Sequence, residues 1–162
     1  MTMSLLNTSR NRRNTGLLMA AGVAASVVSN PLTAQTVPMT DPTQGVAAQV
    51  VREFIAAGDQ RDVNALENLL HPEFRILFAT TAGATTTTMT RSQYLQLLRD
   101  GKLGGKPRKT EVGSYVGTGG HAVGTAVSMS DSARFDGHFA LVQRDGRWQI
   151  AQETVLMTVS KR

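Results

Sequence analysis

The stretch FALVQRDGRWQI, residues 139–150, reads as two short strands joined by a tight turn. Large apolar residues recur at every second position on each side of Asp145-Gly146, as Phe139 and Leu141 before it and Trp148 and Ile150 after it. Asp-Gly between two such runs is a strong signal for a two-residue hairpin loop. The same period of two continues outward from this hairpin, which predicts four strands, at about 110–117, 120–129, 134–144 and 147–158. An antiparallel meander is therefore expected in the C-terminal part of the chain.

A helical period dominates the residues before this meander. Apolar spacing and capping residues predict three helices, one from Pro42 to about Gly58, one between Asp62 and Pro72, and one from Thr90 to Gly101. Between the second and third helices, Phe74–Phe78 and the threonine run 85–88 predict a β-hairpin, because β-branched residues favour strands. Low-complexity disorder is the alternative for the threonine run.

Helices followed by a hairpin and a meander predict an α+β domain, in which a cone-shaped, curved antiparallel sheet wraps around the N-terminal helices. A chain of 162 residues is long enough for one such domain. We place the domain at residues 44–160 and interpret residues 35–43 as a flexible tail.

Residues 1–34 have the three parts of a secretory signal peptide. They contain three arginines and no acidic residue, then an uncharged apolar run at residues 16–29, then Ala34 as a small residue before the expected cleavage point. The apolar run is shorter than the roughly 20 residues that a transmembrane helix needs. The mature protein is therefore expected to be periplasmic or secreted, without stable membrane association after the leader is removed.

Much of the positive charge also belongs to this leader. The formal net charge of the chain is +5, and Arg10, Arg12 and Arg13 supply three of these charges. The pair Arg12-Arg13 resembles a twin-arginine export signal. Thr15 and Gly16 stand where that signal usually has bulky apolar residues, which favours the general secretory route.

Residue content excludes or disfavours several classes of site. The chain has no cysteine, which excludes disulfides, thiolate zinc sites, iron–sulfur clusters and a cysteine nucleophile. Its three histidines lack metal-ligand spacing, so we expect no metal and no other cofactor. One loop carries four basic residues without a phosphate-loop pattern or interleaved aromatics, so we interpret it as solvated and expect no nucleic-acid partner. These basic residues are Lys102, Lys106, Arg108 and Lys109.

Five segments of the chain carry a resemblance to a known family. They are Val51-Arg52-Glu53-Phe54, Gly58-Asp59, Leu70-His71-Pro72-Glu73-Phe74, Met89-Thr90 and the hairpin 139–150. Their order and spacing resemble the nuclear transport factor 2-like (ketosteroid-isomerase-like) superfamily, most closely its bacterial branch of lumazine-binding and polyketide-cyclase-like proteins. The resemblance spans about residues 44–158 and implies a cystatin-like roll. It implies no single activity, because the superfamily hosts isomerases, dehydratases, cyclases and non-enzymatic binders.

In this architecture six aromatic residues would converge between the sheet and the helices. They are Phe54, Phe74, Phe78, Tyr94, Phe139 and Trp148. Some are needed for the core of so small a domain, and others can line an apolar pocket with a few polar groups, the usual form of a small-molecule site. We therefore expect the domain to bind a small apolar or aromatic ligand, and we find no convincing catalytic set.

A proton-transfer enzyme of isomerase or cyclase type is the first alternative. A two-residue turn at Asp145-Gly146 predicts that His138 lies opposite Glu153 on the outward face of the sheet, and a histidine beside a carboxylate suits a general base. An ion pair on the outer face is the favoured interpretation, and a bulge would change the register. His121 is a further candidate, which can point into the pocket or to solvent.

The resemblance itself weakens the isomerase alternative. Members that resemble ketosteroid isomerase carry a tyrosine on the first helix, as part of the set that stabilises an oxyanion. Here Phe54 is the only aromatic residue of that helix, and it has no hydroxyl to donate.

A non-catalytic homodimer is the second alternative. In this alternative, a sheet face of the meander that is rich in small residues mates with a second copy. These residues are Ala122, Gly124, Ala126 and Val142. A homodimer is therefore the expected assembly.

Overall fold

The computed structural model describes residues 42–82 and 86–160, which form three helices and six strands. The helices are α1 (Pro42–Gln60), α2 (Val63–Leu69) and α3 (Arg91–Arg99), and the strands are β1 (Leu70–Thr80), β2 (Thr86–Thr90), β3 (Lys109–Thr118), β4 (His121–Met129), β5 (Ala133–Arg144) and β6 (Arg147–Val159). The predicted order of elements is confirmed, and the threonine run forms β2. The predicted leader, its cleavage site and residues 35–41 lie outside the described residues. No helix in the two described ranges is both long and apolar enough to cross a membrane.

The six strands form one curved, open sheet in the order β2-β1-β6-β5-β4-β3. Neighbouring strands are antiparallel except for β1 and β6, which run parallel with Arg75 beside Gln152 and Phe78 beside Val155. The expectation of a wholly antiparallel sheet is therefore wrong for this pair. Apolar periodicity shows that a segment is a strand, but it does not show which distant strand will lie next to it.

The second and third helices begin at the predicted residues, and a side chain caps the start of each. Oδ1 of Asp62 accepts a hydrogen bond from the backbone N–H of Ala65 at 3.0 Å. At α3 the Thr90 hydroxyl accepts from the backbone N–H of Gln93, and the Gln93 side-chain oxygen accepts from the backbone N–H of Thr90. This capping box satisfies backbone groups that the helix itself leaves unpaired, and so fixes the point where α3 leaves β2.

The core lies between the concave face of the sheet and the helices. Its helical half includes Phe54 of α1, Leu66 of α2 and Leu98 of α3, all of them buried. Buried residues of the sheet complete it, among them Phe74, Phe139, Leu141 and Ile150. Full burial of each of these side chains stabilises the fold by about 1.5–3 kcal/mol, so the elements around the site are held by packing.

The final hairpin follows the predicted register only as far as its fourth pair. Arg144 lies opposite Arg147 and Leu141 opposite Ile150, which confirms the two-residue turn at Asp145-Gly146. Beyond Leu141 a β-bulge places Ala151 as an extra residue in β6.

The bulge shifts the pairing of the rest of β6 by one residue, so the predicted pairing of His138 with Glu153 is wrong. His138 instead lies opposite Thr154, and Glu153 lies opposite Phe139. Because successive side chains alternate between faces, one extra residue moves every later side chain to the other face. Glu153, expected on the outward face, is therefore buried, whereas Leu156, also beyond the bulge, is 42% exposed.

Candidate functional site

A cavity of about 430 Å³ lies between the helices and the concave face of the sheet. Residues from α1, α3, β1, β2, β5 and β6 line it, together with the loop after α3 and the turn between β4 and β5. Most of its wall is apolar, for example at Ile76, Leu98 and Val155. Charged side chains enter it at a few points, which gives it the composition of a small-molecule site.

The aromatic residues divide between the wall of the cavity and the packing behind it. Of the six predicted, Phe54, Phe78 and Tyr94 line the cavity. Phe74 and Phe139 are buried and contact Phe54 at ring-centroid distances of 6.2 and 6.0 Å, so they support the wall from behind. The sixth predicted residue, Trp148, packs half-buried at the edge of the core. Phe135, which the sequence patterns did not identify, also lines the cavity.

Glu153 of β6 is the buried carboxyl of the cavity. The residue is 8% exposed and lies in the cavity wall. Within residues 42–82 and 86–160, no group donates a hydrogen bond to its carboxyl. Burial raises the pKa of Glu153 to about 7, and the attraction of Arg108 opposes this rise only in part. Near neutral pH, Glu153 can therefore exchange a proton with a bound molecule or form a hydrogen bond with it.

Arg108 enters the cavity wall with its position fixed by Asp59. Its Nε donates to Oδ1 of Asp59 at 2.6 Å, and its backbone N–H donates to Oδ2 at 2.9 Å. The guanidinium carbon also lies 5.1 Å from the ring centroid of Phe135, within the range of a cation–π contact. In the part of the chain that the structure describes, the two terminal nitrogens of Arg108 have no hydrogen-bond acceptor. They remain available to a ligand.

The loop after α3 is held as one wall of the cavity by Arg61. Its guanidinium donates to the carbonyl oxygens of Leu103, Gly101 and Gly104, at 2.9, 2.9 and 3.2 Å. Gly104 has a φ of +64°, and a Cβ there would overlap the carbonyl of Gly58, so only glycine permits this approach. The loop therefore cannot be described as solvated throughout.

Two tyrosine hydroxyls lie in the field of Glu153. Tyr94 lines the cavity, and Tyr115 of β3 is buried with no hydrogen-bond partner for its hydroxyl among the described residues. Burial is the main cause that raises the pKa of both tyrosines, and the charge of Glu153 is the second. Both hydroxyls therefore stay protonated throughout the neutral range and can act as donors.

The three predicted catalytic residues are not brought together. Glu153 lines the cavity, but His138 is exposed on the outer face of the sheet beside Thr125 and Thr154. His121 is exposed at the start of β4, with Nδ1 3.2 Å from the Gly119 oxygen. Within the described ranges, no three His, Asp or Glu side chains are grouped to hold a metal ion.

The polar residues that sequence patterns did not identify are Asp59 and Arg108. Arg108 was grouped with three lysines as a solvated cluster. All three lysines are exposed, and of these only Lys106 also lines the cavity. The available signal was the run of glycines beside these residues, because glycine often marks a close approach of two backbone segments.

Comparisons with known proteins agree with this architecture. A sequence profile of one family, described as "Putative lumazine-binding", matches residues 42–154. A nuclear transport factor 2-like protein of unknown function from Silicibacter pomeroyi is 15% identical with a TM-score of 0.61, over 70% of this chain and 93% of that chain. A ketosteroid isomerase-like protein from Erwinia carotovora atroseptica is 13% identical with a TM-score of 0.59, over 72% of this chain and 97% of that chain. Among curated protein sequences, none matches significantly.

These findings differ in what they establish. The structural likenesses are below 25% identity, so they show the fold. The family profile matches well over half of the chain, and it matches the segments that carried the resemblance in the sequence. The chain therefore belongs to the family described as "Putative lumazine-binding", and its fold is that of the nuclear transport factor 2-like structures.

Proposed function

We propose that the domain binds a small, partly apolar or aromatic molecule in the cavity between the sheet and the helices. The volume of about 430 Å³ falls in the range of ligand sites, about 300–1,000 Å³. The observation that carries the proposal is Glu153, a buried carboxyl that faces this volume without a partner from the described protein. Such a group is costly to bury unless something else completes its hydrogen bonds. The family description names lumazine, a molecule of the proposed class.

A thermal-shift survey across pterins, flavins and steroids tests this proposal with two matched variants. Ala133→Leu adds bulk at the cavity wall, and Ala140→Leu makes the same change on the outer face of the same strand. A bound ligand should raise the melting temperature of the wild type and of Ala140→Leu, and much less that of Ala133→Leu. No shift with any compound, or equal shifts in both variants, contradicts the proposal.

Proton transfer is the second candidate, favoured by the pKa of about 7 at Glu153 inside an apolar cavity. A carboxyl with this pKa can accept and return a proton near neutral pH, and the Tyr94 hydroxyl can donate to a developing oxyanion. His121 and His138 lie outside the cavity, so they have no part in this mechanism.

Exchange of the α-protons of cyclic ketones for deuterium, followed by NMR, tests this second candidate. Glu153→Gln should slow enzyme-dependent exchange at least a hundredfold, within the range that general bases contribute. His138→Gln is the control and should leave the rate unchanged. Exchange that is no faster than in buffer rules out this activity on these substrates.

We also propose that the protein is exported and that it dimerises. The leader motif supports export, and the mature N-terminus should begin at Gln35 in mass spectra of the periplasmic or secreted fraction. Of the residues expected at the contact, Ala122 and Ala126 are buried in the core, so the expectation is wrong for these two. Val116 and Val123, 69% and 58% exposed on the outer sheet face, support self-association. Sedimentation equilibrium should detect a dimer that Val123→Lys weakens. A monomer at high concentration contradicts the dimer proposal, and a precursor that is never cleaved contradicts the export proposal.

A further inference from the structure

We propose that the cavity recognises a neutral, flat heterocycle with an N–H group next to a carbonyl, as in a cyclic amide. The N–H donates to the carboxylate of Glu153, and the carbonyl accepts from the terminal nitrogens of Arg108. This inference rests on the proposed ligand-binding function and names the class of ligand and the two residues that select it.

The unused hydrogen-bonding groups of Glu153 and Arg108 are complementary to such an edge. Both side chains line the same cavity, and they do not hydrogen-bond to each other. Asp59 occupies Nε and the backbone N–H of Arg108, which leaves the two terminal nitrogens as donors. Glu153 offers acceptor oxygens. A ligand that presents a donor beside an acceptor satisfies both groups at once.

The charges of the cavity wall favour a neutral ligand. Its charged side chains are Asp59, Glu153, Lys106 and Arg108, two of each sign when Glu153 is ionised. A charged ligand would be attracted by one pair and repelled by the other, so the wall gives little net compensation for removing the ligand's charge from water. A neutral amide edge avoids this penalty.

The walls of the cavity favour a flat ring system. The rings of Phe54 and Tyr94 lie 6.0 Å apart, and Phe78 and Phe135 also face the cavity. Aromatic walls stack on a planar heterocycle and exclude water from its edge. Burial of that edge makes an unmatched polar group costly, so the hydrogen-bond pattern can discriminate between ligands.

The dependence of ligand affinity on pH provides a second test of this inference. The groups that face Glu153 are Arg108 from the loop, Tyr94 from α3 and Tyr115 from β3, with Asp59 and Lys106 elsewhere in the wall. Burial raises the pKa of Glu153 to about 7 and keeps both tyrosine hydroxyls protonated. A carboxylate accepts a hydrogen bond from an amide N–H more strongly than a neutral carboxyl does, so affinity should increase as pH rises through this range.

Isothermal titration calorimetry with three two-ring probes tests the inference. Isoquinolin-1(2H)-one has one N–H beside one carbonyl, its N-methyl derivative blocks the N–H, and 1-tetralone keeps only the carbonyl. At pH 8.5 the first should bind at least tenfold more tightly than the other two. Between pH 5.5 and 8.5 its affinity should rise by up to about thirtyfold, the change in the ionised fraction of a group with a pKa of about 7.

Variants separate the two recognition groups. Glu153→Gln keeps an acceptor of the same size, so binding of the amide should persist but lose its pH dependence. Glu73→Gln, at an exposed carboxylate, is the matched control and should keep it. Arg108→Met should weaken the amide and the ketone alike, because both use the carbonyl contact. Equal affinity for the amide and its N-methyl derivative, or unchanged pH dependence in Glu153→Gln, overturns the inference.

The same data separate failure of this inference from failure of the proposed function. If other compounds bind and Ala133→Leu blocks them while the amide has no advantage, the cavity is a binding site with a different selectivity. If neither these probes nor the broader survey binds, both proposals fail. If the amide probe binds more tightly than the other two and Ala133→Leu does not reduce this difference, the amide binds outside the cavity. That result also overturns the inference.

Discussion

Glu153 makes the stability of the fold depend on pH. Its pKa is about 7 in the folded protein and 4.5 for the unperturbed group, so the folded state binds the proton more tightly. The stabilisation is fully present below pH 4.5 and is lost as pH rises toward and through 7. A displacement of this size corresponds to about 3 kcal/mol.

Glu153→Gln should therefore stabilise the protein in alkaline solution only. The amide has nearly the shape of the protonated acid but cannot ionise, so the variant should match the wild type near pH 4.5. At pH 8.5 its free energy of unfolding should be higher by up to about 3 kcal/mol. Urea denaturation at the two pH values measures this difference. An identical pH profile for both proteins contradicts the burial of an ionisable group at this position.

The ion pair of Asp59 and Arg108 should contribute more to stability than its exposed counterpart. Its side chains are 11% and 21% exposed, whereas those of Glu67 and Arg99 are 44% and 45% exposed at the same 2.6 Å separation. Asp59→Asn should cost about 1.5–3 kcal/mol, because hydrogen bonds to a partly buried charged group are lost. Glu67→Gln should cost less than about 1 kcal/mol. Chemical denaturation of both variants checks the ranking, and equal losses contradict it.

At the scale of elements, the loop after α3 depends on Arg61. Arg61→Ala removes donors to three carbonyl oxygens, while Arg147→Ala removes an exposed arginine from the hairpin. The amide of Gly105, which donates to the Asp59 carbonyl at 2.9 Å, should then exchange with solvent at least about tenfold faster in Arg61→Ala. Hydrogen exchange followed by NMR measures this rate. Unchanged protection means that Gly104 packing alone holds the loop.

The elements were predictable from the sequence because their signals are local. The capping box at Thr90 and the Asp145-Gly146 turn each depend on residues a few positions apart in the sequence, and both are confirmed. The bulge at Ala151 has no such signal, since neither glycine nor proline marks it. The face of Glu153 depended on that bulge, so the residue was singled out but placed on the wrong side.

Contacts between distant segments of the chain account for the other differences between the sequence predictions and the structure. Asp59 and Arg108 are separated by a helix, two strands and another helix, and no spacing rule joins them. The parallel neighbour of β1 was missed for the same reason. The family resemblance supplied the architecture but not these side-chain contacts.

For the whole molecule, the sheet contains pairings of very different sequence separation. The strands β3 to β6 are joined by short turns, whereas β1 pairs with β6 across about 75 residues of chain. Long loops are slow to close, so the meander should form before β1 joins it.

Two variants test this order of folding. Gly146, with a φ of +74° in the hairpin turn, should slow folding when changed to alanine, because the strained turn forms early. Ile76→Val in β1 should cost about 1 kcal/mol and mainly accelerate unfolding. Stopped-flow measurements in denaturant give both rates. A slower folding rate in Ile76→Val than in Gly146→Ala would reverse the order.

The bulge in β6 also affects how relatives of this protein should be compared. A relative with a regular β6 needs one residue fewer between its Asp-Gly turn and its acid to bring that acid into the cavity. An acid at the same spacing as Glu153, in a strand without the bulge, is a surface residue. Gapless alignment of β6 can therefore equate residues of opposite faces, and strand length is a better guide than identity to which relatives share the buried carboxyl.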